Sequence, residues 1–309
     1  MLDSLFGLTF PIESWKPFGP TGLELAPFGF LVGIGIVLGT IIAGRRARTL
    51  GLSERVVADV ALWAVIPGFI GAHLVHQLLY YPHELVGYTG PDGKWVEGNW
   101  LLIFMVWKGI SSFGGFVGGT LGVLYYFRKH KELPFLPYAD AIIFGFATAW
   151  IFGRLGCTTA FDHPGSPTDF FMGMTYHGHS LDRFDKPLTG LVIHNLGWYE
   201  AIWSMAMSLF FFTQRKVTHV KGWYLYVFVL AYMPFRFMLD FLREVDVRYG
   251  LTPGQWIAIV LLGLGVWVMV RARKKGDMLV PDGVPKFDWW PKGEADLWRK
   301  EKAAGIAKK

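Results

Sequence analysis

Charge is what this chain has least of. Of its 309 residues only 17% are Asp, Glu, Lys or Arg, where soluble globular proteins carry roughly 25%. Hydrophobic residues make up 52%, aromatics 17%, and the mean hydropathy is +0.34. This shortfall of charge excludes a disordered chain, a fibre and an ordinary cytosolic enzyme. Cysteine is nearly missing as well. Cys157 stands alone, so no intrachain disulfide and no multi-Cys zinc site can form. Met1–Gly22 lacks the basic start and apolar run of a signal peptide. What remains is an all-α integral membrane protein. Its net charge of +6 is concentrated from Arg271 to Lys309, where eleven Lys and Arg meet six Asp and Glu. Such a basic end suits anionic lipid at a cytoplasmic face, not nucleic acid.

A membrane span needs about 20 apolar residues. Seven stretches qualify: Pro27–Ala43, Val60–Tyr80, Leu101–Phe127, Ala139–Thr159, Leu191–Thr213, Gly222–Phe241 and Gly254–Val270. Around them lie an N-terminal segment 1–26, a membrane domain 27–273 and a Trp-rich basic tail 274–309. The tail's Trp289, Trp290 and Trp298 suit an interfacial segment. Basic residues follow the first, third, fifth and seventh spans: Arg45, Arg46, Arg48 and Arg55; Arg128, Lys129 and Lys131; Arg215, Lys216 and Lys221; Arg271, Arg273, Lys274 and Lys275. The alternate loops are poorer, so the N-terminus is expected outside (periplasmic) and the C-terminus inside. The polar loop 161–190, with Tyr176-His177-Gly178-His179, is the expected functional loop.

Ionisable side chains within spans are costly and mark sites by default. Here they are His73 and His76, Arg154, His194 and Glu200, and Arg236, Asp240 and Arg243. Given the topology, all fall toward the outer side, which predicts one polar cavity there. Two arginines suit a phosphate or carboxylate. The plainer alternative is that Arg236, Asp240 and Arg243, one helical turn apart, only pair and lock their helix. His73 and His76 equally suit a packed pair, and without a third ligand they predict no metal. Asp162-His163, His177 and His179 are further proton acceptors. Cys157 reads as a small packed residue.

These residues also sit in a familiar pattern. Pro27-Phe28-Gly29, Trp107-Lys108-Gly109-Ile110-Ser111-Ser112-Phe113-Gly114-Gly115, Gly153-Arg154-Leu155-Gly156-Cys157, His194 to Glu200 and Arg236-Phe237-Met238-Leu239-Asp240-Phe241-Leu242-Arg243 occur in order. Over roughly Leu25 to Val270 the chain resembles the prolipoprotein diacylglyceryl transferases, seven-span bacterial inner-membrane enzymes. The resemblance implies transfer of a diacylglyceryl group from phosphatidylglycerol to the lipobox cysteine of a preprolipoprotein, releasing glycerol phosphate, with no cofactor. It assigns Arg154 and Arg236 to the phosphate, and Asp162, Gly165, His194, Tyr199 and Glu200, with Asp240, Arg243, Gly114 and Gly115, to substrate binding. The chain departs from the family at Phe28, Cys157 and Phe113, the last standing where the family has His before Gly-Gly. Phe accepts no proton, so the base must be sought among His73, His76, His177 and His179. The alternative is a silent or divergent lipid-binding relative, acting on another acceptor or as a subunit of an assembly.

Overall fold

Glycine spacing decides how these helices meet, because lipid tails give apolar side chains no reason to prefer each other. A computed structural model describes residues 27–89, 93–105, 109–161, 163–176, 190–243 and 250–279. The chain is mostly helical. Among the described residues the few strands form two- and three-stranded pieces, as suits an all-α membrane protein. Among them, too, five helices are long and apolar enough to cross a membrane: Pro27–Thr49, Glu54–Tyr80, Phe135–Ala160, Trp223–Leu242 and Gly254–Lys275. The described residues fall into two compact units, 27–52 with 136–279, and 53–135.

The first unit holds α1 (Pro27–Thr49), α5 (Phe135–Ala160), α6 (Leu196–Gln214), α7 (Trp223–Leu239) and α8 (Pro253–Lys275). Helices α1 and α5 approach so closely that a Cβ on Gly39 would stand 2.7 Å from Ala149 Cβ. Phe144, Ala147, Phe211, Tyr224, Phe228 and Tyr232 form an aromatic core among α5, α6 and α7. Buried Asp140 of α5 accepts the Gly222 and Leu225 N–H groups at 2.6 and 3.2 Å, satisfying the first turn of α7. A three-stranded antiparallel sheet, β3 (Pro164–Pro167), β5 (Val192–Asn195) and β4 (Met174–Thr175), links α5 to α6. Strands β6 (His219–Val220) and β7 (Met278–Leu279) tie the chain ends after α6 and α8.

The second unit is a helix pair with an irregular arm. Helix α2 (Glu54–Val75) continues as a π-helical turn, His76–Tyr80, and packs along α4 (Ser112–Lys129). Their contact is made of backbone. Gly114 lies against the Gly71 carbonyl, Gly118 against Pro67 and Gly71, and Gly122 against the Trp63 carbonyl. Between the helices come α3 (His83–Val86), strands β1 (Gly87–Thr89) and β2 (Trp95–Glu97) and a 3-10 turn, Trp100–Phe104.

In two expected spans the long helix begins later than the hydropathy suggested. The third, predicted from Leu101, starts with the 3-10 turn Trp100–Phe104 and has its long helix from Ser112. Gly109 takes φ +76° and Ser111 Oγ caps the helix by accepting the Gly114 N–H at 3.4 Å. The fifth opens with strand β5, and the helix begins where Asn195 caps it. Hydropathy averages over such starts, whereas a positive φ or a capping oxygen fixes them.

Candidate functional site

The site is assembled where α5 ends and α6 begins. Asn195 ties the two: its side-chain oxygen accepts the Trp198 N–H at 3.3 Å, and its amide donates to Thr158 O at 3.1 Å. Gly197 is needed there, since a Cβ would stand 2.8 Å from Thr158 N. One turn into α6, fully buried Glu200 meets Arg154 of α5. The Arg154 Nε lies 2.8 Å from Glu200 Oε2. From α7, the Tyr232 hydroxyl donates to the same Oε2 and accepts from Arg154 NH2 at 3.1 Å. Arg236 follows one turn later, with NH1 3.5 Å from Glu200 Oε1 and NH2 2.8 Å from Asp240 Oδ1.

The cluster extends past α7. Asp240 opens a short 3-10 turn and lies 3.6 Å from Arg243 NH1. Its other oxygen accepts the Thr252 hydroxyl at 2.5 Å, and Thr252 itself caps α8 in a reciprocal box with Gln255. Three arginines thus share two carboxylates, leaving one positive charge in excess. Burial and the charge on Arg236 hold the Arg243 guanidinium below its usual range, so a further anion beside it would be favoured. Arg154 is the most engaged of the three. Its remaining nitrogen points at Cys157 Sγ, 3.7 Å away, and its guanidinium lies over the Trp150 ring at 4.3 Å.

An apolar pocket of about 330 Å³ occupies the same unit, lined among others by Phe170, Tyr199, Trp203 and Phe235. Two of its lining residues, Tyr199 and Phe235, precede Glu200 and Arg236 directly in the chain. The Trp203 ring packs on Tyr232 at 5.1 Å between centroids, so a single aromatic layer joins pocket and charge cluster. Beside them His194 Nδ1 and the Tyr199 hydroxyl are 2.7 Å apart. Gly165 fits tightly between His194 and the Leu242 carbonyl, each 2.8 Å from a Cβ placed there. His163 follows α5, its carbonyl accepts the Leu196 N–H at 3.3 Å, and it lies within electrostatic reach of Glu200.

The structure therefore brings together Arg154, Glu200, Arg236, Asp240 and Arg243, and pairs His194 with Tyr199. The two arginines expected to seek an anion have one inside the protein, the Glu200 carboxylate. Pairing of Arg236 and Arg243 with Asp240 is also present, as the plainer reading had it. Tyr232 was not singled out from sequence. Its one available signal was its position four residues before Arg236, on the same face of α7. His73 belongs to the second unit and is fully buried. Its ring nitrogens lie 3.1 Å from Gly109 O and 2.9 Å from Leu102 O, the packed, backbone-bonded arrangement. Gly114 and Gly115 also lie in that unit, on the face of α4 that meets α2. Asp162, His177, His179 and the tryptophans of the tail lie outside the described residues.

Residues 18–271 match the family model for prolipoprotein diacylglyceryl transferase. The chain is similar to phosphatidylglycerol–prolipoprotein diacylglyceryl transferase 2 of Clostridium perfringens, with 27% identity covering 82% of this chain and 94% of that protein. It is similar to the enzyme of Nitratidesulfovibrio vulgaris strain Miyazaki F at 26%, covering 82% and 94%. The Clostridioides difficile enzyme is 25% identical over 82% of this chain and 93% of its own length.

Proposed function

The chain belongs to the prolipoprotein diacylglyceryl transferase family, and from that premise we propose that it moves a diacylglyceryl group from phosphatidylglycerol to the cysteine of a prolipoprotein. The observation that carries the reading is the buried cluster of three arginines on two carboxylates. Its excess positive charge is what a departing phosphate needs. Arg236 and Arg243, the more accessible members, meet the phosphate, and Arg154 holds Glu200 and Tyr232 in register behind them. The apolar pocket beside the cluster takes part of an acyl chain, which supports a phospholipid over a water-soluble phosphate ester. Gly165, His194 and Tyr199 shape the approach to the cluster. Asp162 joins them by its place in the motif, and Gly114 and Gly115 serve by letting α4 lie against α2.

In the reaction the cysteine sulfur attacks the glyceryl carbon that bears the phosphate ester oxygen. A carbon–sulfur bond forms, the carbon–oxygen bond breaks, and glycerol phosphate leaves with the electron pair. The thiol must first lose its proton. With Phe113 in place of the family's histidine, we assign that proton to His163, which follows α5 and is tied by its carbonyl to Leu196, one turn before Glu200. His177 of the same loop is the second choice. His73 is fully buried with each ring nitrogen against a backbone carbonyl, so neither nitrogen is open to a thiol. The alternation of basic loops supports an inner-membrane protein with its N-terminus and active cavity on the periplasmic side.

The test uses purified protein, labelled phosphatidylglycerol and a lipobox peptide. Label is expected on the peptide cysteine, and His163→Gln is expected to lower the rate by about 10²-fold or more. Retained activity in His163→Gln together with loss in His177→Gln would move the base to His177. Absence of transfer by the unaltered protein, with phosphatidylglycerol still bound, would leave a lipid-binding relative without this chemistry.

A further inference from the structure

The arm between α2 and α4 exposes apolar side chains on a scale that water does not tolerate. Val86 is 77% exposed, Phe104 69%, Trp100 66% and Trp95 64%. Large exposed apolar patches on a protein mark a contact surface. Two features of the arm identify what it contacts. First, the arm follows directly in the chain on a span, Glu54–Tyr80, that exposes Leu62, Ile66, Phe69, Leu74, Leu78 and Leu79. Second, its tryptophans are interleaved with charge: Trp95 follows Lys94, Glu97 comes two residues later, and Glu84 lies in α3. Charged groups keep the arm out of the hydrocarbon, and the tryptophans keep it out of bulk water. Trp residues concentrate where both demands are met, at the boundary between headgroups and acyl chains.

The backbone fits that depth. Irregular chain survives near lipid only when its polar groups are satisfied, and the arm satisfies them on itself. Strands β1 and β2 pair from Gly87 with Glu97 to Thr89 with Trp95, the Asn99 N–H donates to Glu84 O at 2.9 Å, and Asn99 Oδ1 accepts the Leu101 N–H at 3.1 Å. Gly87, at φ +97°, leaves room for the Trp95 ring that a Cβ would strike. The arm is also pinned in place. His73 lies inside α2 with Leu102 O on one ring nitrogen and Gly109 O on the other, and the Ser111 N–H donates to Ala72 O at 2.9 Å. We propose that residues 83–89 and 93–105 form an interfacial arm that lies in the lipid boundary where α2 ends, anchored to α2 by His73 and to the bilayer by Trp95, Trp100 and Phe104.

The test places a nitroxide at Trp95→Cys, Trp100→Cys or Phe104→Cys, one at a time, in full-length protein in nanodiscs of phosphatidylcholine and phosphatidylglycerol. Cys157 is buried, and the unsubstituted protein supplies the labelling blank. Collision rates with oxygen and with a nickel chelate are compared with Leu62→Cys in the span and Glu132→Cys in the basic loop. The oxygen-to-nickel ratio at the arm positions is expected to lie several-fold above that at Glu132→Cys and below that at Leu62→Cys. A ratio equal to that of Glu132→Cys would put the arm in water. A ratio equal to that of Leu62→Cys would put it in the hydrocarbon, and low collision with both reagents would mean that protein covers it. Any of these three results overturns the proposal. Three separate positions keep one misfolded variant from deciding the outcome.

Discussion

The two units solve the problem of joining helices in lipid in opposite ways. In the second unit α2 and α4 meet through Gly68, Gly71, Gly114, Gly118 and Gly122, with backbone against backbone. In the first, α5, α6 and α7 meet around Arg154, Glu200, Tyr232 and Arg236. Close glycine contact gains van der Waals attraction and asks nothing of the chemistry. A buried ion cluster costs desolvation and holds only when every partner is present. The costly contact is the one that a reaction can use. Glycine packing builds the scaffold, and charge packing builds the candidate site.

If that contrast is right, substitutions in the two units should fail differently. Arg154→Ala strips Glu200 and Tyr232 of their shared donor. Transfer is expected to fall by about 10³-fold, with ~3 kcal/mol of stability lost because Glu200 keeps only Arg236 and Tyr232; the transfer assay and thermal unfolding in detergent measure the two. Gly118→Val drives a side chain into Pro67 and Gly71. It is expected to cost ~1–3 kcal/mol of stability, with the specific activity of the surviving folded protein near that of the parent. A large loss of specific activity in that fraction would break the comparison. Tyr232→Phe leaves the rings packed and removes one hydroxyl, so unfolding should change little while turnover drops by about tenfold, the equivalent of ~1.4 kcal/mol. Thr252→Ala removes both the cap of α8 and a donor to Asp240. About 1 kcal/mol of stability and a small change in lipid affinity are expected, read by thermal unfolding and by phosphatidylglycerol titration.

Much of this was legible from the chain because lipid leaves few choices. Missing charge implied a membrane protein, and apolar runs located the spans that became α1, α2, α5, α7 and α8. The rule that buried charge marks a site picked out Arg154, Glu200, Arg236 and Asp240 before any contact was known. It said nothing of who pairs with whom. A sequence shows that Arg154 and Glu200 are both expensive, and not that Asn195 and Gly197 bring α6 close enough for one to neutralise the other. Tyr232 escaped because a tyrosine in a span is ordinarily an anchor or a packing residue, and only its two partners make it more. His73 was open to two readings, a proton acceptor or a packed ring bonded to backbone. A histidine in a span looks like chemistry, and here its ring is held between two backbone carbonyls, at Leu102 and Gly109.

Composition and spacing by themselves determined that this protein crosses the membrane in helices and carries several charges at similar depth, because the cost of putting charge in lipid is a property of each residue. Tertiary structure alone decided that three arginines and two carboxylates form one cluster with a surplus of positive charge, and that the stretch after α2 folds into an arm. Pairing and the path of an irregular segment depend on which distant residues are brought within a few ångströms, a quantity that no single residue carries.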